Sequence, residues 1–357
     1  EMEIEEMLGG EIERFIRVWI SAILCLCYCY YIASRIPKGF LRLLSLLPIF
    51  CIFIILPLSL SSPNLVGFTS FFLVWLGTFK LLLFSFNQGP LALISSPNII
   101  HFIFIASLPI NLKQQPTTNV NINTNTIQKP KWLLALKLLL LGMIIRVSDY
   151  KENLHPRFML VLHYCYLYLG LEIVLVLIAA LVQTVLGFEI QPLFNKPYLC
   201  TSLQDFWGRR WNLIVTRILR PTVYEPVRRK STCFVGPSCA TSTAMLATFL
   251  VSGLMHELMY YYLTRAPPTW EVTCFFVLQG MCTVVEVVVK KAMLHGGWRL
   301  HRAVSVPLTV AILAVTGWWL FFPQLLRNGV DRKVTEEYEV LVDFVIHSIL
   351  PYIYGSL

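Results

Sequence analysis

Phe249-Leu250-Val251-Ser252-Gly253-Leu254-Met255-His256-Glu257-Leu258-Met259-Tyr260 lies inside a long apolar run, 239–263. A helix needs roughly 20 predominantly apolar residues to cross a bilayer. This run is long enough, so His256 is placed within a membrane span. Further runs of that kind occupy 15–34, 43–60, 66–86, 158–186, 270–289 and 303–323, with shorter candidates at 92–108, 132–146 and 338–354. Apolar residues make up 56% of the chain and charged residues only 14%, whereas an ordinary soluble domain carries about 25% charged residues. The expected fold is all-α: a polytopic helical membrane bundle of eight spans, give or take one. We expect a single membrane-embedded domain over 1–357.

The first run follows an acidic head (Glu1, Glu3, Glu5, Glu6, Glu11, Glu13) and shows no small-residue cleavage site. It reads as a retained helix rather than a signal peptide. The net charge of +9 is concentrated at Arg35, Lys38 and Arg42, at 209–230, and at Lys290, Lys291, Arg299 and Arg302. Excess Lys and Arg mark cytoplasmic loops, so all three clusters are expected in the cytosol. Loops 60–67 and 264–269 carry only Arg265 between them and read as lumenal. The alternation works from 205 onward. Before it, either 92–108 or 132–146 must cross, or the run 158–186 must fold back on itself. Segment 111–129 is a polar connector in which twelve of nineteen residues are Asn, Gln or Thr, too polar to fold alone. No internal repeat appears, no N-x-[ST] sequon occurs, and the ten cysteines form no C-x-x-C pair. No metal site, disulfide framework or nucleic-acid partner is indicated.

An ionisable group within a span is costly and marks a functional site by default. Histidine reduces the cost by staying neutral, and neutral imidazole is the form that accepts a proton. Ser252 and Tyr260 share its helix face, four residues to either side. Glu257 points elsewhere. Two readings stay open for His256: a base, or a side chain that only hydrogen-bonds between helices. The zinc-protease pattern H-E-x-x-H fails because Tyr260 stands where the second histidine belongs. G-x-S-x-G is absent, and so is H-x-x-x-D after every histidine.

A second constellation runs Asp205-Phe206-Trp207-Gly208-Arg209-Arg210-Trp211-Asn212, followed by Arg217, Arg220, Arg228, Arg229 and Lys230. Its two Trp residues suit a membrane interface. Its seven basic residues in 26 suit lipid headgroups or a phosphate-bearing ligand. A third feature, Glu339, Asp343 and His347, repeats every four residues and faces one way on a helix.

The string Asp205–Asn212, with His256 forty-four residues on, resembles the plant wax synthase family of the membrane-bound O-acyltransferase superfamily. Arg17–Ala22, Leu41–Leu44 and Phe79–Phe84 also resemble wax synthases, so the likeness covers most of the chain. It implies an endoplasmic reticulum enzyme that moves an acyl group from acyl-CoA, a co-substrate rather than a bound cofactor, to a lipid hydroxyl. The histidine matching His256 is then the general base and Asn212 its active-site partner. Asp205, Trp207, Trp211, Ser252 and Tyr260 would support the site, and Arg209, Arg210, Arg217 and Arg220 would bind CoA phosphates. Family members esterify long-chain alcohols or sterols, or acetylate diacylglycerol, so the acceptor stays open. A transporter with His256, Glu257, Glu286 and Asp343 as intramembrane polar sites, or a lipid-binding scaffold, are the readings from other classes.

Overall fold

The computed structural model describes residues 2–92, 98–109, 131–148, 154–186, 193–295 and 301–344. The connector 111–129, Arg299 and His347 lie outside these residues. Every regular element among them is helical, as bilayer crossing requires: no water is present to satisfy an open strand edge, whereas a helix bonds its own backbone. Hydroxyl side chains follow the same economy. Ser107 donates to the Ile103 carbonyl at 2.7 Å, Thr248 to Ala244 at 2.8 Å and Thr309 to Ser305 at 2.7 Å, each one turn back along its helix.

The main helices are α1 (Met2–Tyr31), α2 (Phe40–Ile55), α3 (Pro63–Ser85), α4 (Ile99–Ser107), α5 (Lys131–Ser148), α6 (Pro156–Leu186), α7 (Leu213–Leu219), α8 (Glu225–Thr264), α9 (Glu271–His295), α10 (Arg302–Thr316) and α11 (Val330–Phe344). Seven stretches of the described chain are long and apolar enough to cross a membrane, so the chain is a polytopic helical membrane protein. Two of these stretches need comment. The stretch Leu213–Thr264 bends at Gly236, whose φ of 78° and ψ of 166° break the helix before Pro237. The 28 residues beyond the bend reach ~42 Å, ample for one crossing. α3 contains a π-helical segment, Ser70–Gly77, in which every residue is buried.

The chain separates into two compact units, Glu1–Leu108 with Lys196–Leu357, and Pro109–Asn195. In the second unit α6 is one unbroken helix of 31 residues, which rules out the fold-back expected as one route across the bilayer. α5 packs along it, joined by Lys137 Nζ to Glu172 Oε1 at 2.5 Å. At 18 residues, α5 reaches ~27 Å. α4, with nine residues, reaches only ~14 Å and is too short to span.

In the first unit the two ends of the bundle are distinct. At one end, Glu11 accepts from the Ser61 and Ser62 N–H groups at 3.0 and 3.3 Å. Arg265 donates to the carbonyls of Pro57, Leu58 and Leu60 at 2.8–3.2 Å, and Glu337 of α11 holds the Asn64 amide at 2.6 Å. The two loops read as lumenal thus meet. The other end carries exposed Arg35 and Lys38, and there the last turns of α3 pack against 213–224. Arg42 differs from its cluster: it is buried, donates to the carbonyls of Ser34, Ile36 and Phe84, and lies over the Phe84 ring. It is a fold anchor. Lys80 is fully buried and donates to the Ile105 and Leu108 carbonyls at 2.6 and 2.5 Å. Unpaired carbonyls at the C-terminus of α4 stand in for a counter-ion there.

α8 and α9 approach most closely where each presents a glycine. A Cβ on Gly253 would lie 3.0 Å from the Thr273 Cα, and one on Gly280 would lie 3.0 Å from the Phe249 Cβ. Small residues are what let membrane helices meet without a solvent-driven hydrophobic force. Gly253→Val should therefore cost about 1–3 kcal/mol by overpacking. The check is the melting temperature in detergent, which is expected to fall; an unchanged value contradicts the packing described.

Candidate active site

His256 sits two turns before the end of α8. Its Nδ1 lies 2.8 Å from the Ser252 carbonyl oxygen, one turn back. A carbonyl only accepts, so Nδ1 carries a proton; in the neutral imidazole the lone pair is then on Nε2. Among the described residues no hydrogen bond reaches Nε2. The ring is clamped by aromatics from three other segments: stacked on Phe276 of α9 at 4.2 Å and 29°, edge-to-face with Trp75 of α3 at 4.8 Å and 84°, and against Phe321 at 6.0 Å. It nevertheless stays half-buried. The ring is thus held in one orientation, with Nε2 unclaimed among the described residues.

Its neighbours on the helix take other parts than proton transfer. Ser252 is buried and contributes its backbone carbonyl. Tyr260 donates its hydroxyl to the Phe321 carbonyl at 2.8 Å and packs on that ring, fixing the aromatic that touches His256. Glu257 turns away from the imidazole and accepts from the Trp270 N–H at 2.9 Å and from the Thr273 hydroxyl at 3.0 Å. It caps the start of α9, where the helix exposes unpaired N–H groups and its positive dipole end. That start is strained, since Trp270 adopts φ of +63°, a conformation costly for a bulky side chain.

The Asp205–Asn212 string folds as a short turn of helix and a π turn, Phe206–Arg210. Ser202 caps it, accepting from the Asp205 N–H at 3.0 Å. Asp205 in turn accepts from the Thr201 N–H at 3.2 Å and from Arg210 Nε at 2.5 Å, while Arg210 also reaches the Lys196 carbonyl. Asp205 thus orients the segment. Arg210, expected to contact CoA, is largely committed to that carboxylate. Arg209 and Arg217 are exposed, and Arg220 pairs with Glu225 at 3.4 Å. Glu286 of α9 accepts from the Leu203 N–H at 2.6 Å, so it secures this turn rather than lining a permeation path.

Trp207 faces inward instead of anchoring at the membrane interface. Its ring packs against Phe249, Phe275 and Phe276 at 5.7–6.3 Å, and its Nε1–H donates to Gln279 at 3.2 Å. Trp211 stacks on Phe206 at 5.4 Å. Phe276 therefore touches both Trp207 and His256, so a single ring connects the motif to the histidine. Asn212 stands in the left-handed region at φ 37°, which Asn tolerates better than most residues. Its Oδ1 is buried without a partner among the described residues. No hydrogen bond joins its side chain to His256 among the described residues; the link between this segment and the histidine runs through Trp207 and Phe276.

Residues outside the initial reading complete the site: Trp75, Phe276, Phe321 and Gln279. Gln279 is fully buried and donates to Thr316 of α10 at 2.8 Å while accepting from Trp207. Gln279 is the one amide side chain in the run 270–289, and that was the available signal. On α11, Glu337, a residue outside the predicted stripe, holds Asn64; the Asp343 side chain lies outside the described residues.

The profile of the membrane bound O-acyl transferase family matches residues 190–278, which hold both the motif and His256. A long-chain-alcohol O-fatty-acyltransferase of Simmondsia chinensis is 48% identical over 96% of this chain and 97% of its own length. An Arabidopsis thaliana protein named "Probable long-chain-alcohol O-fatty-acyltransferase 1" is 48% identical over 92% of this chain and 96% of its own. An acyl-CoA–sterol O-acyltransferase of the same plant is 40% identical over 93% and 96%. The chain belongs to the plant wax synthase family of membrane-bound O-acyltransferases. It is an acyltransferase, and the transporter and scaffold readings fall away.

The Asp205–Arg210 pair yields a direct test. Asp205→Ala and Arg210→Ala should each lower stability by about 1–3 kcal/mol. Combined they should cost clearly less than the sum, because they break one interaction. Additive losses, measured as detergent melting temperatures, would contradict the pairing.

Proposed function

We propose that this protein is an acyl-CoA-dependent acyltransferase that esterifies long-chain alcohols, with His256 as general base. The observation that carries the reading is the His256 tautomer: Nδ1–H is spent on the Ser252 carbonyl, leaving Nε2 open in a half-buried aromatic site. The alcohol hydroxyl gives its proton to Nε2 as its oxygen attacks the thioester carbonyl carbon. The C–O bond forms, the C–S bond breaks, and the CoA thiolate leaves and recovers the proton from His256. Thiolate departs readily, so no covalent enzyme intermediate is needed. General-base help of this kind is worth roughly 10²–10⁴-fold.

Asn212 is the proposed donor to the carbonyl oxygen as charge develops there. Its buried Oδ1 lacks a partner among the described residues, and turning the amide over would put the donating N–H₂ at that position. Exposed Arg209 and Arg217 suit the phosphates of CoA. The segregation of the basic end from the Glu11–Arg265–Glu337 end supports a cytosolic site for that loop, in the endoplasmic reticulum membrane. Long-chain alcohol is preferred over sterol as acceptor because the relatives named for alcohol are more similar, at 48% against 40%.

His256→Ala should abolish ester formation in microsomes supplied with labelled acyl-CoA and alcohol, while the protein still accumulates. Near-normal product from a normally expressed variant contradicts the assignment. Arg209→Ala should raise KM for acyl-CoA several-fold and leave KM for alcohol within about twofold, the range of one charge-assisted contact. Equal shifts for both substrates contradict the CoA role.

A further inference from the structure

We propose that the Trp75 indole N–H holds the oxygen of the acceptor alcohol beside His256 Nε2, making Trp75 a catalytic residue of the esterification. The inference rests on the reading of His256 as general base. Two independent observations meet at this residue. Trp75 is 2% exposed, and its Nε1 is buried with no hydrogen-bond partner among the described residues. An indole N–H only donates, and leaving one unpaired in an apolar interior costs about 1–3 kcal/mol. Such a group calls for an explanation. The second observation is position: the Trp75 ring stands edge-to-face with the His256 imidazole, centroids 4.8 Å apart. Within one aromatic contact, a donor that lacks an acceptor adjoins a base that lacks a proton.

The backbone around Trp75 is unusual as well. It lies in the π-helical segment of α3, a local widening that recurs at functional sites. Thr78 Oγ1 donates to the Leu73 carbonyl at 3.2 Å, supporting a turn whose bonding is displaced. Phe71 packs edge-on to Trp75 at 5.8 Å and holds the indole in place.

An alcohol oxygen matches what the two rings lack. Its O–H is the donor that Nε2 requires. Its two lone pairs serve separate ends: one accepts from Trp75 Nε1–H and the other attacks the thioester carbonyl. The proposal requires hydrogen bonds of ordinary length, about 2.8–3.0 Å, from one oxygen to each nitrogen. The consequence is preference for a hydroxyl at the head of an otherwise apolar chain, set by a side chain outside the Asp205–Asn212 string and outside α8.

The test replaces the N–H while keeping the ring. 3-Benzothienylalanine at position 75 retains the bicyclic shape and puts sulfur where the N–H was; Trp75→Phe is the conventional companion. Ester formation is measured in microsomes with acyl-CoA and alcohol varied separately, alongside wild type and His256→Ala. The expected result for the benzothienyl variant is a roughly tenfold fall in kcat/KM for the alcohol, the scale of one neutral hydrogen bond. KM for acyl-CoA should stay within about twofold of wild type. Alcohol kinetics equal to wild type, or equal losses for both substrates, overturn the proposal. Wild type itself identifies which hydroxyl is esterified. If that is a sterol, the substrate reading changes and the same comparison is made on the sterol hydroxyl.

Discussion

The close approach of α8 to α9 at Gly253 and Gly280 is the constraint on which the site depends. It brings Phe276 flat against His256 and puts the Thr273 N–H and hydroxyl within reach of Glu257. α9 then offers Gln279 and Glu286 to the Asp205–Asn212 segment. Moving the two helices apart by the width of a methyl group would loosen the histidine's stacking partner and the seat of the motif together. His256 and the ring stacked on it sit on two rigid helices, the arrangement that holds functional groups most closely to a working geometry.

Polar atoms inside this bundle are few, and nearly all are spoken for. Lys80 is met by helix-end carbonyls, Arg42 by three backbone carbonyls, Gln279 by a Trp and a Thr. In an apolar medium an unmet polar group is expensive, which makes the remaining unmet atoms informative. Trp75 Nε1 and Asn212 Oδ1 are two of them. Both belong to segments that converge on the aromatic cluster around His256. In the proposed reaction such groups would act strongly on the thioester, at a site that excludes the water that would hydrolyse it.

Much of this was legible in the amino-acid order. The spans followed from run length, because bilayer thickness sets a minimum, and His256 from its misplaced polarity. The string Asp205–Asn212 carried the family likeness. The parts that were not legible are contacts between segments far apart in the chain. Periodicity says that Glu257 leaves the face of His256, but not that it caps the next helix. Two aromatic residues beside basic ones suggest an interface belt, whereas Trp207 is drawn inward by Gln279 and three phenylalanines. Trp75 is one apolar residue among many in its run; only a partner 181 positions away (256 less 75) distinguishes it. Arg210 looked interchangeable with Arg209 until its bond to Asp205 separated them.

The account turns on an unprotonated Nε2 doing the work of a base. The measurement that tests this most directly is the rate of ester formation by His256→Gly, with and without added imidazoles of graded basicity. The account predicts a loss of about 10²–10⁴-fold, partly restored by imidazole and restored further by the more basic derivatives. Ester formation at the wild-type rate by His256→Gly without any imidazole would contradict it.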